Sequence, residues 1–417
     1  MKLAHKRIQT LFVCLSAISV LISCGPSENQ VRSSSKEINP VLLISFDGFM
    51  NEYIDRNNTP NFDRFIKNGV KADYLIPVFP TKTFPNHYTI VTGLYVENHG
   101  IIANSFPDSR LDARFSYGPI NSPNDERWWG GEPIWITAEK QGLTSATFFW
   151  PGSEASIDST WSTKWVAYDG SVPDSSRIDS ITAWLDPNGS VQADLGTLYF
   201  SFIDHVGHDF GPNSSQMDEA SLHADDLLGY LLKKIDEHNL SDKLNVIITS
   251  DHGMAELSPE KVIFLDEIIN LENVKMVDWT PVALIQPNEG ETSKIYSTLK
   301  EHENNYRVYL RDELPDHYHF SDHYRIPEII MIADVGYTIT RRDFFEKNGV
   351  MGGTHGFDYE APEMRTIFIA SGPDFKTGET AQPFQSIHIY ELLCKILGIN
   401  PAENDGNLEE VNALLRN

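Results

Sequence analysis

Val41-Leu42-Leu43-Ile44-Ser45-Phe46-Asp47-Gly48 is the stretch that decides the fold class. Four apolar residues in a row, with no polar alternate, describe a strand covered on both faces, and such strands belong to parallel sheets wrapped by helices. The run ends in a carboxylate and a glycine. A helix is expected from Thr59, with Pro60 at its first position and Gly69 just past its end. The alternation then repeats, with a helix over 134–140, strands over 145–149 and 198–203, and a long helix over 214–237. Ala220, Ala224, Leu228, Leu231 and Ile235 form one apolar stripe on that long helix, which is core packing, and His223 and His238 read as solvated polar residues. Val246-Ile247-Ile248-Thr249 is another buried strand, closed by Ser250-Asp251-His252-Gly253. A helix over 293–303, strands over 329–332 and 367–369 and a closing helix over 386–397 complete the pattern. Strands alternating with helices give an α/β fold, a mostly parallel central sheet with helices on both faces. Residues 259–342 read as a peripheral segment inside a single catalytic domain over 39–400, and 401–417 as a C-terminal tail.

Composition sets the outer limits. A chain of 417 residues, 41% hydrophobic, buries a substantial core and is not a disordered protein. The formal net charge of −26 repels nucleic-acid polymers and leaves small phosphate esters open as ligands. Lys2, Lys6 and Arg7 precede an apolar stretch from Leu11 to Ile22, the layout of an export signal, too short for a convincing membrane span. Leu21-Ile22-Ser23-Cys24 closes it like a bacterial lipobox, so 1–23 is expected to be a lipoprotein signal, Cys24 the lipid anchor and 24–38 a serine-rich tether. The expected location is outside the inner membrane, on the periplasmic or the surface face. Of the cysteines Cys14, Cys24 and Cys394, the last is alone in the body of the protein, so no internal disulfide is expected; Cys394 reads as a small buried apolar residue.

In open α/β sheets ligands collect beyond the carboxyl ends of the strands, where Asp47, Asp204 and Asp251 fall. Asp204-His205-Val206-Gly207-His208 sets a carboxylate and an imidazole four residues apart, and both are suitable zinc ligands. His205 alternates away and reads as a neighbour. Asp251 and His252 share an ion only if the chain turns sharply, as Gly253 permits, and His355 lies in the glycine-rich Gly352-Gly353-Thr354-His355-Gly356. Each taken alone reads first as a satisfied polar turn; their joint occurrence at strand termini reverses that reading and points to metal. Thr83, before Phe84-Pro85-Asn86, is a helix cap by the plain reading, yet a hydroxyl at a helix N-terminus also faces the amides that favour an incoming phosphate. A metal beside it would make it a nucleophile.

Asp47-Gly48, Pro80-Thr81-Lys82-Thr83-Phe84-Pro85-Asn86-His87-Tyr88, Thr92-Gly93-Leu94-Tyr95, His99-Gly100-Ile101, Phe149-Trp150-Pro151-Gly152-Ser153, Asp204-x-x-Gly207-His208-x-x-Gly211-Pro212, Ser250-Asp251-His252-Gly253 and His355-Gly356-Phe357-Asp358 together resemble the nucleotide pyrophosphatase/phosphodiesterase family of the alkaline phosphatase superfamily. The resemblance runs from about Pro40 to Gly398 and implies an alkaline-phosphatase-like fold. It implies two zinc ions, one held by Asp47, Asp251 and His252 beside the nucleophile Thr83, the other by Asp204, His208 and His355. Asn104 matches the asparagine that donates to a nonbridging phosphate oxygen. Phe84 and Tyr168 occupy the positions whose rings sandwich a nucleobase, and Tyr199 is a candidate for the pocket wall, equally explained by core packing. The implied reaction is in-line attack by Thr83 and release of the covalent intermediate by water, with retention at phosphorus and a neutral to alkaline optimum. Lys82 beside the nucleophile, with no arginine, favours a diester over a dianionic monoester. Cysteine pairs and the flanking domains of secreted animal members are missing, which leads to the expectation of a bare catalytic unit. Two other readings stay open at this point: a phosphomonoesterase or choline- or glycerol-phosphodiesterase of the same superfamily, and an inactive ligand-binding surface lipoprotein.

Overall fold

The strands that carry the architecture are, in chain order, β1 (Val41–Phe46), β2 (Val70–Ala72), β3 (Ser145–Phe148), β4 (Lys164–Val166), β5 (Leu195–Phe200), β6 (Asn245–Thr249), β7 (Val274–Asp278), β8 (Val282–Pro287), β9 (Tyr306–Leu310), β10 (Ile329–Ala333), β11 (Phe368–Ser371) and β12 (Glu379–Ala381). Eight of them form one sheet in the order β12-β2-β11-β6-β1-β5-β3-β4. β1 is parallel to both its neighbours, β5 and β6, and the pairs β3–β5, β3–β4 and β2–β12 are parallel as well. Only β11 runs antiparallel, against β6 and β2. The computed structural model describes residues 38–116, 122–350 and 352–416; the stretch 1–23, Cys24 and nearly all of the expected tether lie outside the described residues.

Alternate side chains of the buried strands feed two cores. On one face Val41, Leu43, Leu195 and Ile247 pack with Tyr88 and Ile90 of α2 (Thr83–Thr92), Trp135 of α3 (Ile134–Lys140) and Leu393 of α8 (His388–Leu397). On the other, Leu42, Ile44, Leu198 and Ile248 meet Phe62 of α1 (Pro60–Lys67), Ile181 of α4 (Asp174–Leu185), Ile203 of α5 (Phe202–Phe210) and Ala224, Leu228 and Leu231 of α6 (Ser215–Glu237). Each of these leucines and isoleucines, cut to alanine, costs about 2–5 kcal/mol. The mostly parallel α/β sheet with helices on both faces is thus the observed fold.

Three local expectations change. The strand expected over 198–203 is β5, Leu195–Phe200, and the chain turns helical at Phe202, so Asp204 lies in the first turn of α5. Gly207 inside α5 serves close packing, since a Cβ there would lie 2.6 Å from Met254 Cε. The segment after Asp251 does not continue the parallel pattern: β7, β8, β10 and β9 pair antiparallel in that order and enclose, with α7 (Thr292–Glu301), a core of their own around Ala283, Ile285, Ile295, Leu299, Val308 and Met331. Beyond α8, Val411 and Leu414 are buried in the same core as that helix. Among the described residues no helix is long and apolar enough to cross a membrane.

Candidate active site

Five separate chain segments deliver the polar side chains to one place beyond the C-terminal ends of β1, β5 and β6. Asp47 follows β1 directly, and Asp251 and His252 come just after β6. Asp204 and His208 are one turn apart on α5, so their side chains share a face. His355 follows the short pairing of Gly353–Thr354 with Ala255 and Glu256. Here the backbones nearly touch: a Cβ on Gly352, whose φ is +71°, would lie 1.8 Å from the His208 carbonyl oxygen. Thr83 is the first residue of α2, after Lys82 in extended conformation.

Two sets of ligating atoms result. Asp204 Oδ1 lies 3.3 Å from His208 Nε2 and 3.6 Å from His355 Nε2. Asp47 Oδ1 lies 3.3 Å from His252 Nε2, which is 3.0 Å from Asp251 Oδ2 and 3.2 Å from Thr83 Oγ1. The sets adjoin, since Asp47, Asp204 and His252 also offer atoms within 4.8 Å of one another.

The donor set fits cations. His208 Nδ1 donates to the Gly353 carbonyl, His252 Nδ1 to the Gly253 carbonyl and His355 Nδ1 to the Thr81 carbonyl, each at 2.9 Å. A carbonyl only accepts, so in all three rings Nδ1 carries a proton and Nε2 is the ring atom turned to the carboxylates, the orientation of metal-binding histidines. Asp47 Oδ1, Asp204 Oδ1 and Asp251 Oδ2 are buried without a hydrogen-bond partner. Buried acceptors of this kind are costly unless an ion meets them.

The electrostatics carry the same mark. Burial, followed by repulsion from Asp251 and Asp204, pushes the Asp47 carboxyl well above the usual range. Burial pushes Asp251 up too, but His252 and His87 outweigh it and hold that carboxyl well below. Burial, with the His252 and His208 charges, drives His355 well below an ordinary imidazole, favouring the neutral ring a metal needs. Tyr199, buried, donates its hydroxyl to Asp47 Oδ2 at 2.5 Å and leaves Oδ1 without a partner.

A cavity of ≈ 340 Å³ opens over these atoms, lined by Asp47, Thr83, Phe84, Asn104, Tyr168, Tyr199, Asp204, His205, His208 and His355 among others. Asn104 Oδ1 accepts from the Phe84 amide at 2.9 Å, so its NH2 is the half offered to a ligand. Tyr168 is 47% exposed, with its hydroxyl 3.2 Å from Ser201 Oγ and its amide held by Glu154 at 2.8 Å. Lys82 is turned away from the cavity: its ammonium pairs with Asp278 of β7 and donates to the Thr280 carbonyl at 3.2 Å. No lysine or arginine lines the cavity among the described residues. A larger hollow of ≈ 550 Å³ beside α1 and α6 holds no imidazole and none of the orphaned acceptors.

One residue escaped the sequence reading. His87, one turn after Thr83 on α2, is fully buried and reaches Asp47 and Asp251. Its spacing of four from Thr83 was the available signal.

Paired candidate ligand sets around a helix-terminal hydroxyl are the arrangement that metal-assisted phosphoryl-transfer hydrolases use. Residues 41–358 match the family described as type I phosphodiesterase / nucleotide pyrophosphatase, and the chain belongs to that family. It is 37% identical to mouse ectonucleotide pyrophosphatase/phosphodiesterase family member 7 over 422 residues, covering 97% of this chain and 92% of that protein. It is 38% identical to mouse bis(5'-adenosyl)-triphosphatase enpp4 over 387 residues, covering 92% and 83%. The solved structure of murine ectonucleotide pyrophosphatase/phosphodiesterase 5 is similar with a TM-score of 0.87 at 36% identity, covering 90% of this chain and 100% of that one. An inactive threonine-to-alanine variant of the murine protein, in complex with AMP, is similar with a TM-score of 0.86.

Proposed function

We propose that this protein is a two-zinc phosphodiesterase that hydrolyses nucleotide-type phosphodiester or phosphoanhydride bonds through a covalent intermediate on Thr83. The observation that carries the reading is the convergence of three partnerless carboxylate oxygens and three imidazole Nε2 atoms next to the Thr83 hydroxyl. Asp47, Asp251 and His252 would hold one ion, and Asp204, His208 and His355 the other. Bound there, the ions would lower the barrier by acidifying the attacking groups and stabilising charge on the entering and leaving oxygens.

Thr83 Oγ attacks phosphorus in line; the threonine–phosphorus bond forms as the bond to the leaving alcohol or phosphate breaks. Water then cleaves the threonine ester from the opposite side, so configuration is retained. The Asn104 NH2 donates to a nonbridging oxygen, and the faces of Phe84 and Tyr168 receive a base, a contact tolerant of base identity. Two murine relatives support a nucleotide substrate, one named a bis(5'-adenosyl)-triphosphatase and one solved with AMP as an inactive threonine variant. A monoester dianion is disfavoured because Lys82, next to Thr83 in the chain, is spent on Asp278, and among the described residues no lysine or arginine lines the cavity.

The deciding experiment is zinc analysis with a substrate panel on wild type and Thr83→Ala. Two zinc ions per chain and at least about a thousandfold loss of nitrophenyl nucleotide diester hydrolysis are expected; unchanged turnover in the variant refutes the covalent route, and faster hydrolysis of nitrophenyl phosphate refutes the diester preference. We also propose export and lipid anchoring through Cys24, motivated by the lipobox-like stretch; a Cys24→Ser protein that still sediments with membranes would remove that proposal.

A further inference from the structure

His87 holds the nucleophile to the strand that carries Asp47. Its ring is fully buried, edge-on to Trp150 and Tyr199 with centroids 5.2 Å away in each case. Nδ1 lies 2.9 Å from the Thr83 carbonyl oxygen and 3.1 Å from Asp251 Oδ2, and Nε2 lies 2.8 Å from Ser45 Oγ. The ring is close enough to Asp47 and Asp251 to count among their possible co-ligands. The hydrogen bonds argue otherwise. The Thr83 carbonyl only accepts, so Nδ1 must carry a proton and has no lone pair for a metal, while in the neutral ring Nε2 accepts from the Ser45 hydroxyl.

We propose that His87 is a positioning residue for Thr83. The chain Ser45 Oγ–H to Nε2 and Nδ1–H to the Thr83 carbonyl ties the first turn of α2 to β1, two residues before Asp47. It sets the nucleophile's backbone against the ligand-bearing strand and places the N–H edge beside Asp251. A hydroxyl displaced by an ångström from its in-line position loses much of its rate, so a contact to the backbone that carries it acts on turnover and not on binding. The inference rests on Thr83 being the nucleophile.

Three variants test it, with steady-state kinetics on a nitrophenyl nucleotide diester and zinc titration of the metal-free chain. His87→Phe keeps an aromatic ring and removes both nitrogens; kcat is expected to fall about 10–100-fold with KM and the count of two zinc ions unchanged. His87→Asn puts an amide N–H near the place of Nδ1 and is expected to recover most of that loss. Ser45→Ala leaves the apolar packing intact and is expected to lower kcat about two- to tenfold; it carries the test if the phenylalanine variant does not fold. A fall to one zinc ion in His87→Phe would make the residue a ligand and overturn the proposal. Asparagine and phenylalanine variants equally impaired would assign the effect to packing, and unchanged kcat in Ser45→Ala would break the chain. If Thr83→Ala keeps full turnover, the nucleophile assignment fails separately; if Thr83→Ala is dead while His87→Phe is fully active, only the positioning role fails.

Discussion

Two clusters of buried charge in this molecule use similar residues and end differently. In the first, Asp108 accepts from the Arg110 and Leu111 amides through Oδ1, at 2.8 and 2.9 Å, and from the Tyr324 hydroxyl and Arg325 Nε through Oδ2, both at 2.6 Å. Arg325 spends its remaining nitrogens on the carbonyls of Gly100, Trp128 and Arg127. Each Asp108 oxygen takes two donors, and the cluster clamps the strand Ser105–Asp108, next to Asn104, against the segment that carries Tyr324 and Arg325. In the second, Asp47, Asp204 and Asp251 face one another with an unpartnered oxygen each. A closed cluster is architecture; the open one is what the proposed cations would close.

Metal removal breaks the comparison most severely. Exhaustive chelation is expected to cut diester hydrolysis at least about a thousandfold, the several kcal/mol that metal stabilisation of the transition state supplies. Zinc in about thousandfold excess over its dissociation constant should return activity and add about 4 kcal/mol of stability for each site filled. Full activity in the chelated protein, verified metal-free, would reduce the open cluster to an architectural one.

The closed cluster has its own test. Although burial pushes the Asp108 carboxyl up, the Tyr324 hydroxyl, the Leu111 amide and Arg325 hold it at about 2, against 3.8 for a free side chain. A depressed value means stability that is present above the unfolded value and lost as pH falls through the folded one. Asp108→Asn should therefore cost on the order of 2 kcal/mol near neutral pH, with the gap to wild type closing between about pH 4 and pH 2. Denaturant titrations across that range measure it, and a gap independent of pH would show that the charge is not what the clamp uses.

The two clusters also differ in how far the chain announces them. Asp47 and Asp251 were legible because each ends a continuous apolar strand, and a buried strand that stops at a carboxylate has few bland explanations. Asp204 was found as a ligand candidate but assigned to the wrong element, because Phe202 and Ile203 are as apolar in a buried helix as in a strand. His87 was hidden in a quoted motif; its role depends on Ser45, 42 residues away, and on a ring proton that spacing does not reveal. Lys82 gave no hint of Asp278, 196 residues later, since ion-pair partners across a topology leave no periodic trace. Of the antiparallel sheet of β7 to β10 only the strand over 329–332 enters the sequence reading, within a segment read as peripheral; β7 and β9 leave no continuous apolar run, and a strand's neighbour is chosen by loops and by the core it must cover.

Asp47→Asn sharpens the comparison by the smallest margin and the most particular sign. In the metal-free protein burial and the charges of Asp251 and Asp204 raise the Asp47 carboxyl well above its free value. A raised carboxyl contributes stability below the unfolded value and forfeits it as pH rises through the folded one, so at neutral pH the charged side chain works against the fold. Asparagine keeps the shape and an oxygen for the Tyr199 hydroxyl but carries no charge. With chelator present the variant is expected to be more stable than wild type by about 1 kcal/mol at neutral pH, while Asp108→Asn is less stable under the same conditions. With zinc the order reverses, because wild type gains a ligand's share of binding energy that the variant lacks. Denaturation of both proteins with and without zinc reads the sign directly. A metal-free Asp47→Asn protein weaker than wild type would mean that the carboxylates of this cluster already satisfy one another, and the distinction between open and closed charge would fall with it.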